Sequence, residues 1–288
     1  MHPAKRLLLS AAALGLLLLA VPARAQDDGS GFDADFNFAY SAVLGTGYYA
    51  TATERVLVLQ LPLSWRFGPF GEKNHIRALF PVAFGVTDLV GDDGGLEIPS
   101  QLLTASFLPG VAWERQITGN WTLIPSVQLG FAQDYQNDVL AWLYSIALRS
   151  YAWWDIGKHR LGLGNRVLGA GQTIDGSGSQ TGFALLENGL DWEYPLPWSL
   201  WDRPLSSSVF FMWQYFADEV RIEGISGENV NLTHLFQLGF TFGFRDTVTV
   251  MGFIPVKRIG FSVVRGNTVS GGEIKAYTLN LGFPLSHE

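Results

Sequence analysis

Residues 57–67 read Leu57-Val58-Leu59-Gln60-Leu61-Pro62-Leu63-Ser64-Trp65-Arg66-Phe67. Every odd position is large and apolar, while the even positions include Gln60, Ser64 and Arg66. A repeat of two is the period of a β-strand, in which successive side chains point to opposite faces. One face of this segment is greasy along its whole length. The same alternation recurs at Phe36, Phe38 and Tyr40 against Asp35, Asn37 and Ser41, and at Phe107, Val111 and Trp113 against Ser106, Gly110 and Glu114. It returns at Leu232, Phe236, Leu238, Phe240, Phe242 and Phe244 against Thr233, Gln237, Thr241 and Gly243, and at Tyr277, Leu279, Leu281 and Phe283 against Thr278, Asn280 and Gly282.

A soluble β-sandwich also alternates, but its solvent face carries Lys and Glu. Here the second face is mostly Gly, Ser, Thr, Ala, Asn and Gln, in a chain that is 14% aromatic and 16% charged with 33 Gly. Lipid on the greasy side and a lumen on the small polar side account for both faces. Strand backbones in lipid must all be paired, which demands a closed barrel. The expected fold is all-β, a transmembrane antiparallel up-and-down β-barrel of about twelve strands.

Twelve strand cores are predicted at 33–43, 54–67, 74–87, 101–115, 121–133, 139–155, 158–170, 181–194, 207–217, 231–244, 247–264 and 273–284. Short links fall at 68–73, 116–120, 156–157 and 245–246, with Pro195–Leu205 the one long exception. Longer acidic or glycine-rich links fall between them, at 44–53, 88–100, 134–138, 171–180, 218–230 and 265–272. Outer-membrane barrels alternate short periplasmic turns with long external loops, so both termini are expected in the periplasm. Trp65, Phe67, Trp113, Trp121, Trp153, Trp154, Trp192, Tyr194, Trp198 and Trp201 sit near the short turns, where an interfacial aromatic girdle belongs.

Lys5 and Arg6 precede an apolar run from Leu7 to Val21, then Pro22 and Ala23-Arg24-Ala25. That is the layout of a secretory signal peptide over 1–25, its apolar run being shorter than the ~20 residues a spanning helix needs. Residues 26–288 are then a single barrel domain. A net charge of −7 argues against nucleic acid as a partner, since phosphate neutralisation needs clustered Lys and Arg. The absence of cysteine removes disulfides, thiolate nucleophiles and Cys-ligated metals. No cofactor is expected. The acidic loop Gly91–Gly95 with Glu97 lacks the ligand spacing of a calcium loop, and Gly162-x-Gly164 lacks the helix of a nucleotide site.

The signal peptide, the alternating strands and the terminal strand Tyr277–Phe283 with its outward aromatics resemble Gram-negative outer-membrane β-barrels. With little chain ahead of the first strand to form a passenger, and no linker helix to plug a pore, the protein is similar to a solitary autotransporter-like translocator barrel. The resemblance implies outer-membrane lipids as surroundings and the barrel-assembly machinery as a partner in biogenesis. The chain departs from the pattern by running past Phe283 with Pro284–Glu288. A non-enzymatic envelope structural or surface-loop role is expected, with a channel for a small solute through a charged lumen as the alternative. An outer-membrane lipid hydrolase is the third reading. His75, His159 and His287 lie away from the external end, and His234 shares the phase of Phe236 and faces lipid, leaving no base placed for a nucleophile.

Phase puts Arg66, Arg77, Glu114, Arg149, Arg160, Arg166, Glu187, Asp191 and Glu193 on the lumen face. Unpaired charge in a narrow lumen is costly, so opposite signs should pair across strands. The pairs serve either a salt-bridged closed interior or a charged constriction. A two-residue turn at Ile156-Gly157 would set Tyr151 opposite Gly162 and Arg149 opposite Gly164. On the next hairpin, Arg166 opposite Glu187 also brings Arg160 opposite Glu193 and Gly164 opposite Gly189, with Arg149 reaching toward Asp191. Around Lys257 and Arg258 the alternation changes face, which signals a bulge.

Overall fold

A computed structural model describes residues 45–50, 55–69, 73–87, 104–135, 138–176, 180–223, 229–250, 254–268 and 273–286. These form β1 (Gly47–Ala50), β2 (Arg55–Pro69), β3 (Asn74–Thr87), β4 (Thr104–Phe107), β5 (Gly110–Thr118), β6 (Trp121–Asp134) and β7 (Val139–Ile156). The chain continues with β8 (His159–Ile174), β9 (Gln180–Leu200), β10 (Arg203–Glu223), β11 (Asn229–Val250), β12 (Ile254–Thr268) and β13 (Glu273–Asn280). Neighbours in sequence pair antiparallel around the ring, and β13 returns to β1, which closes it. β4 and β5 occupy one place, both pairing with β3 and β6. They are halves of one strand interrupted at Leu108-Pro109, where proline has no N–H to give the ladder. The barrel therefore has twelve strand positions.

The signal peptide and the strand expected at 33–43 lie outside the described residues, as does the acidic loop 88–100. Three expected links are corrected. Residues 44–53, taken as an external link, contain β1. Pro195–Leu205, taken as a long connection, is strand on both sides of a two-residue turn. Trp201 and Asp202 form it, with φ of 52° and 58°, the left-handed pair that a tight hairpin with the native twist requires. Pro195 and Pro204 disguise the strands because both fall beside the β9–β10 register shift between Pro204 and Ser206, where a missing N–H is tolerated. Arg245-Asp246 is no turn either. β11 runs on to Val250, and its ladder with β12 shifts between Gly243 and Val248, the bulge that the broken alternation near Arg258 announced.

The outward face matches its sequence phase. Leu57, Leu59, Leu61, Leu63, Trp65 and Phe67 are all exposed, as are Val111, Trp113, Phe236, Leu238, Phe240 and Phe242. On β7 exposed Tyr144 and Trp154 bracket the band. Ten residues rise ~33 Å along a strand, and a tilt of ~40° leaves about 25 Å along the axis, the height of an outer-membrane apolar belt. Trp153 does not belong to the girdle: it turns inward and packs against the lumen cluster of Tyr151 and Phe210. A second aromatic row at the long-link end, including Tyr135, Trp142, Tyr144, Tyr215 and Tyr277, completes the pair of girdles.

Leu238→Arg is expected to cost about 2–4 kcal/mol of folding free energy in bilayers, the penalty for a cation on the lipid face. Lumen phase alone would make Thr241 a tolerant position, but it is fully buried, receives the Ser207 hydroxyl on its carbonyl and shares a hydrogen bond with Ser208. Thr241→Arg should therefore cost at least as much as Leu238→Arg. Urea titration of both variants in lipid vesicles checks the order.

Candidate functional site

Inside the ring the lumen is filled. Toward the long-link end the inward positions are apolar, with Leu143, Leu168, Phe183, Leu185, Phe216, Leu235 and Val264 packed as one cluster. Toward the short-turn end they are charged and hydroxyl-bearing. Arg258, Glu187, Phe210, Met212, Leu143 and Phe283 are each about 1% exposed, the burial of a protein core rather than a pore lining.

The nine charges that phase assigned to the lumen are brought together in groups. Glu114 on β5 bonds Arg66 at 2.7 Å and also Arg77, while those two arginines face each other across β2 and β3. The same device recurs on β7–β9: Arg149 faces Arg166, and Glu187 on the following strand bonds Arg166. Glu114 thus holds both cations of its pair, and Glu187 holds Arg166 of the second. The Gln214 amide donates to the other Glu187 oxygen at 2.6 Å.

The β8–β9 register places Arg160 opposite Glu193, Gly164 opposite Gly189 and Arg166 opposite Glu187, as the sequence indicated. The β7–β8 register differs by two residues. The turn is Gly157-Lys158, with Gly157 at φ 63°, because glycine takes the first central position of a tight hairpin, where φ must be positive. Asp155 consequently faces Arg160 and Tyr151 faces Gly164. Arg160 bonds Asp155 at 3.0 Å and stacks over the Trp153 ring at 4.2 Å, so it is not the partner of Glu193. Tyr151 still covers Gly162, diagonally: a Cβ there would meet its hydroxyl at 2.7 Å.

Arg258 is the group the sequence left unplaced. It bonds Asp191 at 2.8 Å and lies 3.4 Å from Glu193, with Lys257 at 4.0 Å from the same carboxylate. Two strands separate β12 from β9, and the guanidinium crosses them because the positions beneath it are small. Gly243 sits opposite Arg258, Ser206 opposite Gly243, and Ser208 opposite Glu193. A Cβ on Gly243 would meet the Arg258 Cα at 2.7 Å. Ser206, Ser208 and Gly243 were the legible signal of a long side chain lying flat over them.

The chain end supplies the rest of the filling. β13 stops at Asn280, and Phe283, expected outward on the last strand, turns into the lumen with Leu285. Gly282 at φ 102° makes the turn, in a region closed to residues with a Cβ. Phe283 packs against Tyr151 and Phe210 at ring distances of 6.2 and 5.7 Å. It is seated on glycine: a Cβ at Gly164 or Gly189 would come within 2.9 Å of its ring. Arg149 donates to the Ser286 carbonyl at 3.1 Å, so its partner is the tail and not Asp191. β13 and β7 lie on opposite sides of the ring, and the tail therefore crosses the lumen as a plug that needs no helix.

His234 faces outward as its phase required, stacked with Trp213 at 6.0 Å and beside Tyr215 at 5.1 Å. The Trp213 indole donates to its Nδ1 at 3.3 Å. Among the described residues no group of three or more His, Asp or Glu side chains is arranged to hold a metal.

Reversal of Arg166 to Glu should destabilise the barrel strongly, because Glu187 is nearly fully buried. Adding Glu187→Arg should recover part of the loss, a coupling of about 0.5–3 kcal/mol in a double-mutant cycle. Recovery stays partial since Gln214 presents a donor to position 187. Simple additivity would show that the pair carries no coupling.

No protein-family profile matches the chain, and no curated protein matches it either. Solved structures of similar outline include LpxR from Salmonella typhimurium, with 11% identity and a TM-score of 0.42 over 81% of this chain and 90% of that one. The β domain of the Bordetella autotransporter BrkA has 10% identity and a TM-score of 0.38 over 81% and 98%. OccK11 (OpdR) from Pseudomonas aeruginosa has 7% identity and a TM-score of 0.25 over 81% and 92%. LpxR is an outer-membrane lipid A deacylase. The expectation of a non-enzymatic envelope or surface-loop protein is therefore corrected: barrels of this outline include an enzyme, and the architecture does not exclude catalysis. The alternative of a solute channel is corrected by the packed lumen.

Proposed function

We propose that the protein is an integral outer-membrane barrel that works from its lipid-facing wall and its long-link rim, on or with the lipids around it, while its lumen serves as a structural core. The observation that carries this reading is the filling of the lumen from end to end of its described length: an apolar cluster in one half, charge networks and the Phe283–Ser286 plug in the other. Long loops and the rim cluster of Trp213, Tyr215 and His234 share one end of the barrel, which the reading places at the cell surface, with the short turns and the tail in the periplasm.

The natural chain has no cysteine, so single labels have no background. Asp175→Cys at the long-link end should react with a membrane-impermeant maleimide on intact cells, whereas Lys158→Cys in the short turn should react only after permeabilisation. Labelling of Lys158→Cys alone on intact cells would invert the orientation and remove the surface-facing rim.

A further inference from the structure

A polar row crosses the outward face of β7, β8 and β9. Ser150 faces Asn165, and Asn165 faces Asn188. All three are half-buried and stand in the outward phase, opposite to the lumen phase of Arg149, Arg166 and Glu187. On β7 the row falls between Tyr144 and Trp154, which bracket the apolar band. Its depth is therefore that of the acyl chains.

The Ser150 hydroxyl is satisfied, since the Trp121 indole donates to it at 2.8 Å. The asparagines are not: among the described residues neither side-chain amide has a hydrogen-bond partner. Acyl chains offer an amide neither donor nor acceptor, so two carboxamides turned toward lipid are costly. The wall avoids that cost on β11, where Phe236, Leu238, Phe240 and Phe242 face outward. Polar side chains at this depth mark a contact that lipid does not make.

Chemistry and relief together identify what makes the contact. A carboxamide carries both donors and an acceptor, so a pair of them is its own complement. A two-fold interface demands the same of its patch, which must meet itself. Outward positions around the pair are small, namely Ala152, Gly169 and Ala184. Small residues let two backbones approach closely, as they do between helices in lipid, where polar side chains then bond across the contact.

We propose that the β7–β9 wall is a two-fold interface with a second copy of this chain, centred on Asn165 and Asn188, whose amides bond to those of the other barrel. The interface goes beyond the lipid-wall reading and stands in either orientation of the barrel.

The test is the association of the full-length barrel in phosphatidylcholine vesicles, read by energy transfer between copies labelled at Lys158→Cys. Asn165→Leu with Asn188→Leu should weaken association about 50-fold, the equivalent of four amide hydrogen bonds of the strength usual in lipid. The same double variant places apolar groups on a lipid-facing wall, so in urea titration it should be at least as stable as the natural protein. A less stable variant would show that the amides serve the barrel itself and would overturn the proposal. In membranes of the producing cell, a short bis-maleimide should join Asn188→Cys to its copy but not Leu59→Cys, which is exposed on the β2 wall. Monomers at every protein-to-lipid ratio, undiminished association of the double variant, or equal bridging at Leu59 would each remove the interface. Bridging of Asn188→Cys to a protein of different mass would give the wall another occupant and overturn the second copy.

Discussion

Arg258→Met is expected to lose about 3–5 kcal/mol of stability, the cost of removing one partner from a buried ion pair. Arg258 and Asp191 are 1% and 2% exposed in their side chains, and Glu193 is 5%. Without the guanidinium, Asp191 loses its 2.8 Å bond, and Lys257 alone, at 4.0 Å, faces two carboxylates. The loss is thus mainly the penalty of buried anions. Arg258→Met combined with Asp191→Asn and Glu193→Gln should recover part of it, since both carboxylates are then neutral and buried Lys257 is the charge of the cluster that remains. Denaturant unfolding of the single and triple variants in vesicles measures both. A single variant as stable as the natural protein would show that the network contributes nothing.

Phe283→Ala should cost a similar amount, about 3–5 kcal/mol for truncating a fully buried aromatic. Leu281, two residues earlier and 45% exposed, supplies the control: Leu281→Ala removes a lipid-facing side chain and should cost far less. Gly189→Val probes the seat from the other side, because a Cβ there would meet Met212 at 2.8 Å and the Phe283 ring at 2.9 Å. It should expel the tail and reproduce the Phe283→Ala loss. Equal losses at Leu281 and Phe283 would mean that the tail is not seated.

The barrel was legible in the sequence because lipid and lumen impose a period of two, and a one-residue slip would flip every side chain. The β8–β9 pairs were legible for a related reason: Arg160, Arg166, Glu187 and Glu193 share one spacing, so a single register satisfies both. The β7–β8 register was missed by two residues since Gly157 could be read as either central residue of a tight turn. Phase carried no information about Phe283 because the strand stops at Asn280 and Gly282, at positive φ immediately before Phe283, turns the chain inward. Arg258 was hidden by the β11 bulge, which uncouples its face from the alternation on either side. In each case the failure lies at a backbone irregularity, where side-chain periodicity stops reporting direction.

The autotransporter-like outline misled on function in a different way. It rests on strand count and link lengths, which are properties of the wall, whereas the lumen is decided by individual side chains such as Phe183, Leu185 and Arg258. A charged lumen suggested a constriction. The structure shows the charges neutralising one another around a core.

Planar-bilayer recording of the refolded protein tests this most directly. A lumen filled by side chains and by the chain's own end predicts no discrete conductance steps for the natural protein. Reproducible steps whose size shifts when Arg149 or Arg166 is neutralised would place a conducting path through the lumen and contradict the account.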